Sequence, residues 1–349
     1  MRERSNRKKK KPWILIIVAV VVVVAIVAVI GFNMSVGPVD SGDETKISVV
    51  IEEGYSTEMV GDALKEKELI TNVTVFKLKS KLEGYDGGYQ PGVYSLSKSQ
   101  SMEEVMAVIV SGKSDVARFT IPEGYTTEQT MGVLVDAQLV TEDDFMDEVL
   151  NGDFDYKFLA GTPDDETRLE GFLYPDTYEV YRNATAHDII DRMLSHFDEL
   201  VTDEHYAKAK DLGMSIKDIV TMASLIERET KISDERAKVA SVIYNRLDKN
   251  MKLQIDAAIQ YILDEPKEHL LYSDLKVDSP YNIYQHEGLP PGPICSPRIE
   301  CIDAALNPDD TNFIYYVMAP ALDGTHNFSE TAAEFEKNKA AYKDAIANQ

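Results

Sequence analysis

The chain has 349 residues, which is enough for two domains and additional segments. Apolar residues make up 44% of it and charged residues 28%, a balance typical of folded globular proteins. The formal net charge is −24, and it becomes −30 without the first eleven residues, which hold seven basic side chains and one acidic side chain. A body this acidic repels nucleic-acid phosphates. Two cysteines are too few for a disulfide-rich scaffold, and Cys295 and Cys301 either form one disulfide or stay free.

The segment near the N-terminus predicts a membrane anchor. Residues 13–30 form an unbroken apolar run, and a helix of that length spans roughly 27 Å, about the thickness of a hydrocarbon core. Seven basic residues precede the run and none follows until Lys46. The positive-inside rule therefore predicts a cytoplasmic tail at 1–12, an anchor at 13–32 and an extracytoplasmic remainder. A cleaved signal peptide is the alternative, but the run exceeds a usual signal core and no Ala-x-Ala pattern follows it.

An internal repeat follows. Residues 51–71 and 121–141 are identical at nine of 21 positions. Each copy is predicted to contain a strand, a glycine turn and a short helix, with Ser56 or Thr126 as the N-cap. Two copies are too few for a solenoid. The repeat is either a packing element without chemistry or a carbohydrate-binding module.

The remaining pattern predicts a mixed α+β fold. Helices are predicted at 57–67, 102–111, 127–137, 142–150, 186–200, 215–230, 233–248 and 330–346. Strands are predicted at 47–51, 119–121, 177–181 and 313–318. The helices and strands follow no strict alternation, which favours α+β over α/β. The expected division is a linker at 33–45, a small α/β domain at 46–113 and a mixed α+β domain at 117–349.

Glu227 is the candidate for acid chemistry. On a helical wheel of residues 215–230 it falls within the apolar stripe, whereas Glu229 falls on another face, so the two are not expected to pair. A carboxyl group on a core-facing stripe should lose water and favour its protonated form, as a general acid requires. The alternative is a structural glutamate held by a buried arginine or a backbone amide.

Two other segments have an unusual composition. Residues 170–178 place Glu170 and Asp176 among aromatic side chains, broken by glycine and proline. Residues 281–294 combine two tyrosines with a proline-rich stretch that predicts a rigid, extended wall. Aromatic and amide side chains are suited to binding sugars. Each segment can equally be a structural loop.

Taken together, these segments resemble the YceG-like family, the membrane-anchored endolytic murein transglycosylases of bacteria. The motifs, in the family's order, are EGFLYPDTY (170–178), ASLIERET (223–230), LQID (253–256), YNIY (281–284), GLPPGPI (288–294) and HNF (326–328). The resemblance covers about 117–349. Residues 46–113 resemble, more loosely, a LysM-like domain.

The resemblance implies an activity and a site. It implies a lyase that cuts the bond between N-acetylmuramic acid and N-acetylglucosamine in nascent peptidoglycan, leaves a 1,6-anhydro end and so terminates glycan elongation. Glu227 is the implied acid and base, with no metal or cofactor. The expected substrate-binding residues are Glu170, Gln254, Asp256, Tyr281, Asn282 and His326. The implied partners are glycan strands, the cell membrane, and peptidoglycan synthases and division or elongation proteins. A non-catalytic wall-binding scaffold and a hydrolytic muramidase remain as alternatives.

The chain departs from the family pattern in two places. The family often has glycine where this chain has Arg298, and threonine and proline where it has Ile255 and Ala257, on either side of Asp256. Both departures are expected to change the shape of loops and the range of glycans accepted. Neither is expected to touch Glu227.

Overall fold

A computed structural model describes residues 12–263 and 265–348, which form two compact units. The first unit contains the described residues up to Ala117 together with Tyr181–Asn183. The second unit contains the rest. The fold mixes helices with three small two-stranded sheets within the described chain, as the sequence predicts for an α+β protein.

The first helix, α1, spans Pro12–Val36 and contains the predicted anchor. It is 25 residues long, about 37 Å, and apolar enough to cross a bilayer. Most of its described side chains are exposed, as expected of a helix whose apolar surface no protein covers. The helix continues into the predicted linker and stops before Gly37 and Pro38, residues that disfavour a further turn.

The first unit is built on a pair of antiparallel strands. Its elements are β1 (Ile47–Ile51), α2 (Thr57–Glu66), α3 (Val73–Glu83), β2 (Gly92–Leu96) and α4 (Met102–Val110). The register pairs Ile47 with Leu96 and Ile51 with Gly92. A core of aliphatic side chains, with Phe76 and Tyr94 fully buried, joins the helices to the sheet. The LysM-like assignment of this region stays a prediction.

The second unit carries most of the helices. With β3 and β4 counted where most of their residues lie, its elements are β3 (Val116–Thr120), α5 (Thr127–Asp136), α6 (Glu142–Asn151), β4 (Thr177–Tyr181), α7 (Ala186–Leu200), α8 (Asp203–Asp211), α9 (Ile216–Glu229), α10 (Arg236–Asp248), α11 (Asp256–Tyr261), α12 (Ile299–Leu306), β5 (Tyr315–Met318), β6 (His326–Ser329) and α13 (Ala332–Ala347). Strand β3 pairs with β4, and β5 pairs antiparallel with β6. The sequence pattern does not predict α8, α11, α12 and β6, all of them short.

Helix α9 lies at the centre of the second unit. It packs against α8, α10, α11 and α12, and every residue from Ile219 to Ile226 is buried. Ser215 caps its first turn in a capping box with Asp218. Burial therefore covers nearly all faces of the helix, and only the last turn emerges from the core. A helical wheel therefore cannot show which side chain of that last turn is functional.

Two of the sequence motifs meet on α9. Gly171 has φ +87°, and a Cβ atom there would lie 2.5 Å from the Cβ of Pro293, so only glycine permits this approach. The backbone N–H of Ile294 donates to Ser224 Oγ of α9 at 3.1 Å. Segments 170–178 and 288–294 are thus fixed against each other and against the helix that carries the glutamates.

Candidate functional site

Glu227 is held by an arginine. The Arg298 guanidinium donates to both carboxylate oxygens, with Nε at 2.9 Å and 3.0 Å and Nη2 at 2.8 Å. The backbone N–H of Arg298 donates at 3.0 Å, and the Cys301 thiol donates at 3.3 Å. The Glu227 side chain is 6% exposed. All these partners donate to the Glu227 carboxyl oxygens, which matches the structural alternative that the sequence left open.

The expectation that Arg298 would leave Glu227 untouched is wrong. Arg298 precedes α12 as its N-cap residue, and α12 packs on α9, which brings the two side chains together across 71 residues of sequence. The hydrogen bonds with Glu227 raise the pKa of Arg298 above its usual range. Glu123 lies 3.9 Å from the same guanidinium. No local pattern in the sequence indicates this contact.

Glu229 is a functional candidate that the helical wheel does not indicate. Its side chain is partly exposed, yet enough protein surrounds the carboxyl group that burial raises its pKa. The hydroxyl of Tyr316 on β5 donates to Glu229 Oε2 at 2.6 Å. The wheel separates Glu229 from Glu227, but it places Glu229 toward solvent, whereas the Glu229 carboxyl group contacts Tyr316 of β5.

Charged and hydroxyl groups surround Glu229. The nearby Asp256 carboxylate adds to the rise in its pKa, while His326 and Arg246 oppose it. Asp256 accepts a hydrogen bond from the Tyr284 hydroxyl. The His326 ring packs edge-on against Tyr316, with 5.6 Å between the ring centroids. Two of the predicted site residues, Asp256 and His326, therefore lie around Glu229.

His326 is fixed by a buried acid. Glu235 accepts from the backbone N–H of His326 at 2.8 Å and contacts its Nδ1 at 2.7 Å. The side chains of this pair are 7% and 9% exposed. Glu235 was not anticipated, because the contact joins residues 91 apart in sequence. The pairing directs the opposite ring nitrogen, Nε2, away from Glu235.

Glu170 lies in a cavity. Its carboxyl group is 4% exposed and accepts from the Thr127 backbone N–H at 3.2 Å and from the Tyr261 hydroxyl at 3.3 Å. Burial raises its pKa to about 7. The cavity has a volume of about 610 Å³ and is also lined by Arg228. The Tyr281 ring packs at a tilt on Tyr261, with 5.1 Å between centroids, and so belongs to this group.

Two of the predicted substrate-binding residues, Asn282 and Gln254, lie away from both glutamates of α9. Asn282 is fully buried; its side-chain nitrogen donates to two backbone carbonyls of the preceding loop, and its Oδ1 accepts from the Tyr284 N–H. Backbone groups therefore occupy the whole amide. Gln254 is exposed, with φ +52° in the left-handed region. Non-glycine residues rarely adopt this backbone conformation, and those that do are often found at functional sites. Neither residue contacts Glu227 or Glu229 within the described chain.

Both cysteine thiols are free and buried. Cys301 contacts Glu227, as described above, and burial raises the pKa of both thiols. A raised thiol pKa disfavours the reactive thiolate. The cysteines therefore serve as small buried groups beside the glutamate and not as nucleophiles.

The position of Glu229 at the end of its helix is a signal that the sequence itself contains. Glu229 is the last residue of α9, and the carbonyl end of a helix disfavours a negative charge. An acid retained at that position, beside a second acid two residues earlier, indicates a role other than helix stability. Its partner Tyr316 lies in the predicted strand 313–318, but the sequence gives no reason to pair the two.

Two curated relatives, both named endolytic murein transglycosylase, are similar to the chain. The one from Bacillus subtilis is 31% identical over 317 residues, which cover 87% of each chain. The one from Streptococcus pneumoniae serotype 2 is 29% identical over 341 residues, which cover 90% of this chain and 61% of that relative. This chain thus spans less than two thirds of the length of the pneumococcal relative.

A solved structure agrees with the sequence relatives. The crystal structure of a yceG-like protein from Listeria monocytogenes matches with a TM-score of 0.56 and 31% identity, over 84% of this chain and 99% of that chain. The sequence matches the YceG-like family over residues 49–341. The chain therefore belongs to the YceG-like family.

Proposed function

We propose that this protein is an endolytic lytic transglycosylase that cuts nascent peptidoglycan strands beside the membrane and terminates their elongation. The observation that carries the proposal is a protonatable carboxyl group, Glu229, at the end of a buried helix and among polar side chains. The names of the relatives support the same reaction class. The choice of Glu229 as the acid departs from the sequence-based choice of Glu227.

The two glutamates differ in what a proton donor requires. A general acid must hold a proton near neutral pH and release it to a substrate atom within reach. Glu229 has a raised pKa and one hydrogen-bond donor, Tyr316. Glu227 has a bidentate guanidinium and a backbone amide on its carboxyl group, and these donors occupy both of its oxygens. The geometry therefore favours Glu229.

The proposed reaction uses the same carboxyl group twice. Protonated Glu229 gives its proton to the glycosidic oxygen, the C1–O bond of the muramic unit breaks, and an oxocarbenium-like centre develops. The Glu229 carboxylate then takes the proton of that unit's C6 hydroxyl as O6 bonds to C1. This closes the 1,6-anhydro ring and restores protonated Glu229. No water is consumed, so the second carboxylate that positions water in a hydrolase is not required.

Neighbouring groups have roles that follow from their contacts. Tyr316 donates to Glu229 at 2.6 Å and so stabilises the carboxylate that remains after the first proton transfer. Asp256 carries negative charge nearby, which both favours protonated Glu229 and stabilises a positive sugar centre. Tyr284 holds Asp256 by a hydrogen bond. Tyr316, Asp256 and Tyr284 are thus positioning and electrostatic groups around one acid.

The placement of the enzyme is part of the proposal. An uncleaved α1 would hold the rest of the chain at the outer face of the bacterial cell membrane, where new glycan strands emerge. Peptidoglycan synthases and division or elongation proteins are the partners expected there. Peptidoglycan itself is the substrate.

Matched glutamine variants test the proposal. Purified full-length protein and its E227Q and E229Q variants are incubated with peptidoglycan, and the new chain ends are identified by mass spectrometry. We expect wild type to produce 1,6-anhydro ends, E229Q to lose at least about 100-fold in rate, and E227Q to keep most of the activity.

The products separate the alternatives. Reducing ends would indicate a hydrolase, and no new ends from wild type would indicate a scaffold. Loss of activity in E227Q with full activity in E229Q would return the catalytic role to Glu227. Circular dichroism of each variant checks that the fold is retained.

A further inference from the structure

The cavity beside Glu170 has no role in the reaction proposed above. It lies wholly in the second unit and has a volume of about 610 Å³. Its lining comes mainly from the second repeat copy, from α6, from α11 and from the loop that carries Glu170. It adjoins the catalytic end of α9, because Arg228, between the two glutamates, is one of its lining residues.

The internal repeat provides a comparison for this cavity. In the first copy Thr57 is buried, and its hydroxyl donates to Asp86 Oδ1 at 2.7 Å and accepts from the Gly87 N–H at 3.1 Å. In the second copy the equivalent residue is Thr127, which is 4% exposed and lines the cavity. Its hydroxyl has no hydrogen-bond partner among the described residues. A buried hydroxyl without a partner is costly, and here a ligand would satisfy it.

The rest of the lining is both acidic and apolar. Four glutamates line the cavity against one arginine, Arg228. The glutamates are Glu128, Glu142, Glu166 and Glu170. Met131 and Met146 add flexible apolar surface between them. A cavity of this composition favours an aliphatic chain that ends in an ammonium group.

We propose that this cavity binds the peptide stem of the substrate, through the amine-bearing side chain of the stem's diamino acid. This proposal rests on the proposed function, because it takes peptidoglycan as the substrate. The methylene groups of the diamino acid's side chain would lie on Met131 and Met146, and its ammonium group would face the glutamates. The Thr127 hydroxyl would bond the peptide backbone. The enzyme would then select strands that still carry stems.

Glu170 supports this assignment. It is anchored by the Thr127 N–H and the Tyr261 hydroxyl, which fixes its carboxyl group at the inner wall. An incoming ammonium group would favour the ionised form of Glu170, because it would supply the stabilisation that water gives to an exposed carboxylate. Glu170 therefore changes from a mostly desolvated acid to half of an ion pair when the site fills.

Direct binding tests the proposal without requiring turnover. The probe is the N-acetylated tetrapeptide L-alanyl-γ-D-glutamyl-L-lysyl-D-alanine, titrated into full-length protein in detergent and followed by calorimetry. The control probe carries an acetyl group on the lysine amine. We expect the acetylated probe to bind at least about tenfold more weakly, because it lacks the charge that the glutamates would pair.

Two threonine variants locate the site. T127V removes the unpartnered hydroxyl, and T130V removes a similarly buried and unpartnered hydroxyl that does not line the cavity. We expect T127V to bind the probe roughly two- to tenfold more weakly and T130V to bind like wild type. Equal binding of both probes, or no effect of T127V, would overturn the proposal.

The outcome is separable from that of the proposed function. Peptide binding with the expected variant pattern, in a protein that forms no anhydro ends, would uphold this site and refute the activity. Normal formation of anhydro ends without probe binding would uphold the activity and refute this peptide site. Circular dichroism spectra of T127V and T130V identify any loss of fold.

Discussion

At the scale of single residues, two glutamates two positions apart have opposite environments. Glu227 meets a guanidinium and a backbone amide, whereas Glu229 meets one tyrosine hydroxyl and a neighbouring carboxylate. Different surroundings are how enzymes assign separate roles to identical side chains. We infer that the Glu227–Arg298 pair holds the start of α12 against α9, and that Glu229, on another face of α9, carries the proton.

The cavity acid gives a prediction about pH. The folded state raises the pKa of Glu170 from 4.5 to about 7, so the folded state holds its proton more tightly than the unfolded state. The free energy of unfolding should therefore fall as pH rises between these two values, by on the order of 3 kcal/mol from this group. E170Q cannot titrate and should lose less stability over the same range.

Urea unfolding followed by circular dichroism, at about pH 5 and about pH 8, measures this difference. The stability of wild type relative to E170Q should be higher at the lower pH. A constant difference between the two proteins at both pH values would show that Glu170 does not titrate in this window.

At the scale of elements, the sequence predicts local features well. Ser56 and Thr126 are observed as N-caps of α2 and α5, as predicted, because capping depends on residues only a few positions apart. Helix α7 is observed at the predicted bounds, 186–200, because its one-sided apolar pattern and its cap agree. The family motifs also identified the segments that meet on α9.

The sequence could not predict contacts between distant elements. Glu227 and Arg298 are 71 residues apart, and Glu229 and Tyr316 are 87 apart. A helical wheel assumes one buried face, but α9 is buried on nearly all sides before its last turn, so the wheel could not decide between the two acids.

The packing of α9 gives a prediction that joins stability to activity. Ser224 is fully buried, donates to the Thr221 carbonyl at 2.7 Å and accepts from the Ile294 N–H. S224A would leave that N–H without a partner and cost about 1–3 kcal/mol. The proline-rich loop that ends at Ile294, and leads to Arg298, would lose its tether to α9.

S215A is the matched control, since it removes the N-cap hydroxyl of the same helix at a cost of about 1 kcal/mol. We expect both variants to be less stable by urea unfolding but only S224A to form anhydro ends more slowly at a temperature where both are folded. Equal rates for the two variants would show that the loop tether does not affect the site.

At the scale of the whole molecule, charge and hydrophobicity are strongly separated along the chain. Seven basic residues lie within the first eleven, an apolar helix follows, and the remainder carries −30. Basic residues beside a membrane helix resist translocation, whereas acidic ones contribute little to orientation. The basic segment alone therefore predicts the orientation of the anchor.

This separation predicts the membrane topology of the protein. In intact spheroplasts, an added protease should digest the chain beyond Gly37 and leave a tag on the N-terminus protected, because the basic segment stays in the cytoplasm. Replacing the seven basic residues with serine should produce a mixture of the two orientations, since it removes the bias that the positive-inside rule describes. Loss of the N-terminal tag from the mature chain would instead reveal a cleaved signal peptide. A tag accessible in untreated spheroplasts, with the acidic remainder protected, would reverse the orientation and place Glu229 on the wrong side of the membrane for a wall enzyme.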